Sequence, residues 1–227
     1  MAEALCVAIV GAESTGKTTL AAALAQHLAQ TSGLRVAWVP EVLREWCDGM
    51  GRTPRAQEQA AILQSQHQRI TAAAATHDVV VCDTTPLMTA VYSRLVFGDS
   101  SLDELALQLH GKLALTLLMA LDLPWVADGH QRDGPHVREP VDTLLRTLML
   151  CHQLPFAVVG GVGQARVAQA LAAVAPLLQD HATRTKGRLP APTGLFTGLG
   201  TTPTAAPQRL WACECCVPEC ERALLRP

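Results

Sequence analysis

The segment Gly11-Ala-Glu-Ser-Thr-Gly16-Lys17-Thr18 sets two glycines, a lysine and a hydroxyl at the spacing G-x4-G-K-[ST]. Glycines at those positions let the backbone turn successive N–H groups inward, where they meet the negative charge of a phosphate chain at a helix N-terminus. Lys17 then reaches the β- and γ-phosphates of a nucleoside triphosphate, and the Thr18 hydroxyl becomes a ligand of Mg²⁺. The nucleotide-binding set read from this stretch is Gly11, Glu13, Ser14, Thr15, Gly16, Lys17, Thr18 and Thr19. ATP with Mg²⁺ is the cofactor pair that follows.

A metal held this way needs an acidic partner. The run "DVVVCD" supplies Asp83 at the carboxyl end of an apolar strand, the edge at which ligands of parallel sheets collect. The competing reading of Asp83 is a helix cap, which "DTTP" also suits. A second carboxylate, Glu41, follows the run "LRVAWVP", with Arg44 and Glu45 one turn on. At that rim Glu41 can take the proton of an acceptor hydroxyl as it attacks the γ-phosphate, while Arg44 holds the acceptor. On chemistry alone an equal alternative stands: a charged first helical turn in which Glu41 only favours the helix dipole.

The elements that must position these groups are legible as short apolar runs alternating with helical patterns. Buried strands are predicted at 5–11, 34–40, 78–83, 113–122 and 155–161, and helices at 17–30, 54–76, 101–110, 139–152 and 164–178. Buried strands separated by helix-length connectors pair in parallel through right-handed crossovers. The predicted fold is therefore α/β: a P-loop NTPase three-layer sandwich around a parallel sheet of about five strands. On the long helix from Pro54, the polar set Gln59, Gln66 and His67 reads as the wet side of an amphipathic helix, with contact to a sugar or base as the alternative.

The three divisions predicted are a domain over 1–180, a Gly/Pro/Thr-rich linker over 181–210 and a Cys-rich tail over 211–227. A chain that is 49% hydrophobic, 17% charged and of net charge −2 presents no basic field for nucleic acid or anionic lipid. Its longest apolar runs fall short of the ~20 residues of a membrane span. The start "MAEALCVAIV" lacks a basic leader and cleavage site, so a cytoplasmic location is expected. Cys6, Cys82 and Cys151 end or occupy apolar runs and read as core thiols. In the tail, Cys213-x2-Cys216-x3-Cys220 has the spacing of Zn²⁺ ligands, with an unstructured, redox-exposed tail as the alternative.

The order GAESTGKTTL, PEVLREW, QSQHQRI, VVVCDTTPLMTAVY and LDLPWVADGHQRDG resembles the ribosylnicotinamide kinase domain of the NadR type, within the P-loop nucleoside and nucleotide kinases (AAA-type ATPases). The resemblance covers roughly Cys6 to Val159. It implies that Lys17 and Thr18 serve phosphate and metal, that Asp83 serves metal and acceptor activation, and that Glu41, Arg44 and Asp83 line the acceptor pocket. It also implies a lid from Trp125 to Arg138 that brings Arg132 or Arg138 to the transferring phosphoryl. The pattern departs from the family at Pro40 and Ile70, where aromatics stack the pyridinium, unless Trp38 or Trp46 substitutes. It departs again at Thr85, where the family often has Asp.

These residues together predict ATP-dependent phosphoryl transfer to a small nucleoside-like acceptor, catalysed by Lys17, Asp83, Glu41 and Arg132. The alternative is a regulatory ATPase whose Cys-rich tail binds metal or a partner protein.

Overall fold

Five short apolar runs become a parallel sheet in the order β2-β3-β1-β4-β5, with the parallel pairing that the alternation predicts. The strands are β1 (Leu5–Val10), β2 (Val36–Val39), β3 (Val79–Asp83), β4 (Leu115–Met119) and β5 (Phe156–Val159). This computed structural model describes residues 3–126 and 134–185. The expectations for Arg132, for most of the linker and for Cys213, Cys216 and Cys220 lie outside the described residues.

Alternation along β1 sends Val7 and Ile9 to one face and Ala8 and Val10 to the other. The first face packs against α1 (Lys17–Thr31) through Leu20, Leu24 and Leu28, and against α7 (Gln164–Thr185) through Ala170 and Val174. The second packs against α4 (Pro86–Phe97) through Leu87, Met88 and Val91, and against α6 (Arg138–Cys151) through Val141, Leu145 and Met149. The sandwich has three layers. Only the inner strands β1, β3 and β4 are buried throughout. The edge strands β2 and β5 are half-buried, because each has a neighbour on one side alone, which corrects the expectation of five fully buried strands.

Two helices went unmarked as separate elements in the sequence pattern. One is α2 (Val42–Met50), closed by Gly51 in the left-handed region at φ 65°. The other is α4, which starts on Pro86 at its first position and stops at Gly98, φ 68°. The long helix predicted from Pro54 is a 3-10 turn at Ala56–Glu58 followed by α3 (Gln59–Ala74). Helix α5 (Asp103–His110) completes that side. Helix α7 runs to Thr185, five residues into the predicted linker, because Val174, Leu178 and His181 continue one inward stripe and His181 is buried. Cys6 and Cys82 are core thiols as read, but Cys151 is exposed at the end of α6. Among the described residues, no helix is long and apolar enough to cross a membrane.

A buried polar chain ties the loop after β3 to β4. His110 is 2% exposed, with Nδ1 2.9 Å from Thr85 Oγ1 and Nε2 2.7 Å from Thr116 Oγ1. Burial pushes its imidazole down to about 4 from an ordinary value near 6.5. The folded chain thus holds His110 neutral where the unfolded chain takes up a proton. Its stabilising effect is complete above about pH 6.5 and declines as pH falls toward 4, by roughly 3 kcal/mol in total. Urea titrations from pH 7 to 4.5 should show this decline in the wild type and a shallower one in His110→Gln; equal slopes would remove His110 as the cause.

Candidate active site

All five strands point the same way, so the ends of β1, β2 and β3 open onto one rim. Ile9 pairs with Asp83 and Val39 with Cys82, which places Asp83 level with Pro40 and one residue short of Glu41. The loop Gly11–Gly16 leaves β1 at the same level and hands the chain to α1.

The loop's backbone explains its glycines. Gly11 sits at φ 151°, and a Cβ there would lie 2.8 Å from Met119 Cβ. Gly16 caps α1 in the left-handed region, φ 79°. Two non-glycine residues, Ser14 at φ 56° and Thr84 at φ 67°, also take left-handed backbone beside the site. Thr84 is β-branched, and such strain persists only where surroundings enforce it; here its N–H is bonded to the Ile9 carbonyl at 3.0 Å. Thr15 Oγ1 and Lys17 Nζ both donate to the Ala12 carbonyl, at 2.7 and 3.0 Å. Ser14 Oγ donates to the Val126 carbonyl at 2.8 Å and so joins the loop to the segment after β4.

Asp83 is 1% exposed. Burial raises its carboxyl above the ordinary range, opposed by a hydrogen bond from Thr18 and by the charges of Lys17 and Arg44. Its Oδ1 has no hydrogen-bond partner among the described residues. A buried carboxylate with an open oxygen beside a threonine hydroxyl is a pair of hard oxygen donors, the chemistry Mg²⁺ selects. The residues present fit the ion.

Glu41 is the N-cap residue of α2, yet its side chain caps no backbone N–H of that helix. It is instead 3.8 Å from Arg44 Nε, with its side chain only 11% exposed. Glu13, Lys17, Glu41 and Arg44 line one cleft, together with residues of α2, α3 and α4. Of the groups the sequence proposed for phosphate, metal and acceptor, Lys17, Glu41 and Arg44 face the cleft, and Asp83 feels the hydrogen bond of Thr18 and the charges of Lys17 and Arg44. Arg138, at the start of α6, is 8% exposed, and its Nε and Nη2 lack partners among the described residues, the condition of a guanidinium suited to an anion.

Several readings need correction. Gln59 and Gln66 are not a wet face: they are 3% and 2% exposed. Gln66 accepts the Val42 N–H at 2.8 Å and donates to the Pro40 carbonyl at 3.3 Å, so it fixes the turn that presents Glu41. Gln59 lines the cleft, while His67 lines a separate groove. Ile70 packs in the core against Val39 and Val80. Neither Trp38 nor Trp46 lines the cleft, and the Trp46 ring carries Arg52 at 4.9 Å. Cys47, unmarked in the sequence, does line it; burial, with Asp48 and Glu41 nearby, pushes its thiol up to about 11, so it stays protonated.

Sequence reasoning also missed Arg166. This α7 residue is 5% exposed; it donates from Nε to the Gly161 carbonyl at 2.8 Å, from Nη1 to the Thr15 carbonyl, and from Nη2 to Asp122. It braces the phosphate loop from behind. The available signal was an arginine three residues beyond "GGVG", set among the Ala, Val and Leu of the first turns of a helix.

Comparison with solved structures places this geometry in a known fold. The chain is similar to the NadR protein in complex with NAD and AMP-PNP, with TM-score 0.60 and 19% identity over 76% of this chain and 49% of that one. It is also similar to NadR in complex with NR, with TM-score 0.63 and 19% identity over 76% and 50%. The chain thus spans about half the length of the NadR structures it matches. Thymidylate kinase from Ehrlichia chaffeensis has a TM-score of 0.55 at 14% identity, over 78% of this chain and all of that one. These likenesses are of fold. A search of curated proteins finds no significant match. A family model described as an AAA domain matches residues 6–166, from β1 through the phosphate loop to the bracing arginine, and the chain belongs to that family.

Proposed function

We propose that this protein is an ATP-dependent kinase of a small nucleoside-like acceptor, with ribosylnicotinamide the first compound to test. The observation that carries the reading is the shared cleft of Lys17, Glu41 and Arg44 with Asp83 behind it. A site that only hydrolysed ATP would need no carboxylate and arginine facing a space beyond the phosphate loop.

In this reading Lys17 leaves the Ala12 carbonyl to meet the β- and γ-phosphates, cradled by the N–H groups of residues 11–19. Thr18 and Asp83 hold Mg²⁺, which neutralises charge on the phosphates when bound. Glu41 accepts the proton of the acceptor hydroxyl as its oxygen bonds to the γ-phosphorus and the bond to the β,γ-bridging oxygen breaks, releasing ADP. Arg44 orients the acceptor. Of the two arginines proposed for the phosphoryl group, Arg132 and Arg138, the second has buried, unpartnered donors that support the role. The kinase unit is proposed to end near α7. A zinc site at Cys213, Cys216 and Cys220 rests on their spacing alone.

The competing reading is a regulatory ATPase. A panel of nucleosides with the full chain, ATP and Mg²⁺, read by ADP release and by the mass of the product, separates the two. The kinase reading expects at least one nucleoside to raise ADP release tenfold or more and to gain one phosphoryl group. Equal ATP consumption with and without the panel favours the ATPase.

A further inference from the structure

The cleft has a second wall that the transfer chemistry leaves unexplained. Tyr92, Val96 and Phe97 of α4 line it along with Glu41 and Arg44. Val96 and Phe97 are 56% and 39% exposed, although they belong to a helix whose other face is core. Of the chain's three Phe, one Tyr and four Trp, Tyr92 and Phe97 line this cleft. At the same cleft, Gln59 is only 3% exposed, and its Oε1 has no hydrogen-bond partner among the described residues. A buried amide oxygen left open is costly unless something arrives to meet it. Exposed rings beside an unanswered amide fit a flat, polar-edged heterocycle: stacking is available on its face and a hydrogen bond on its edge.

The charges limit what else that molecule carries. Among the described residues, the charged groups of the lining are Glu13, Glu41, Lys17 and Arg44. Once a γ-phosphate engages Lys17, two carboxylates remain against one guanidinium. An acceptor bearing its own phosphate would enter an unfavourable field, whereas a neutral or cationic one would not.

Resting on the kinase reading above, we infer that Tyr92 and Phe97 form the stacking wall of a base subsite, that Gln59 meets the edge of the base, and that the acceptor is a nucleoside without a phosphate of its own. This wall stands on α4, so it replaces the rings that Pro40 and Ile70 do not provide.

The test uses the full chain with each nucleoside and its 5′-monophosphate, in the wild type, Phe97→Ala and Phe97→Trp. Phe97 is exposed enough that its removal spares the core. Loss of one stacking ring is worth on the order of tenfold in affinity. The nucleoside should be phosphorylated and its monophosphate refused. Its KM should rise about tenfold in Phe97→Ala and recover in Phe97→Trp, with the KM for ATP unmoved. Preference for the monophosphate, or a nucleoside KM within twofold of wild type in Phe97→Ala, overturns the subsite while leaving the kinase reading standing. If no nucleoside accelerates ADP release, the kinase reading itself fails and takes the subsite with it.

Discussion

Lys17→Ala should abolish ATP turnover, reducing ADP release by on the order of 10³-fold or more while the chain stays folded. The lysine is placed to meet charge that spreads over phosphoryl oxygens in the transition state, and a preorganised donor lost from such a site costs about 10²–10³ even when neutral. Its present bond to the Ala12 carbonyl is replaceable, because Thr15 Oγ1 holds the same carbonyl from the other side of the loop. Circular dichroism and thermal melting should therefore match the wild type within a few degrees. Turnover above a tenth of wild type would mean that the phosphate chain is not held where the loop geometry puts it.

Glu41→Gln should separate binding from transfer. The substitution keeps the shape of the side chain and removes its capacity to take a proton. ATP binding, read with a fluorescent nucleotide, should stay within about twofold, whereas acceptor-dependent ADP release should fall by roughly 10²–10⁴-fold, the range a general base contributes. If Glu41 merely complements the dipole of α2, the change would appear instead as a loss of under about 1 kcal/mol in stability with transfer intact. Glu41 points away from capping its own helix and toward the cleft, which favours the first outcome.

Legibility in the sequence followed locality. The phosphate loop is a contiguous motif whose glycines answer local torsions, so Gly11, Gly16, Lys17 and Thr18 could be read directly. The strands were visible because three of them are continuous apolar runs, and Asp83 stood out because it ends one. What failed was the difference between inner and edge strands, since β2 and β5 are as apolar in composition as the rest and are distinguished only by having one neighbour. Gln59 and Gln66 misled for a related reason. Their polarity suggests solvent, but Gln66 is buried because the turn after Pro40 offers it a backbone N–H and a carbonyl from 24 and 26 residues away. Arg166, Asp122 and Thr15 meet across separations of 151 and 44 residues, and no local pattern announces such a meeting. Tyr92 and Phe97 look like ordinary core residues until α4 is seen to turn one side to the cleft.

The reach of Arg166 to the Thr15 carbonyl has a consequence for how the protein comes into being. A nascent chain acquires its whole phosphate motif as one contiguous stretch, but the guanidinium that holds the motif's shape is synthesised about 150 residues later. On the proposed reading, a firm hold on nucleotide is gained only once α7 has been made, and a chain cut short before α7 would carry the phosphate motif without its brace.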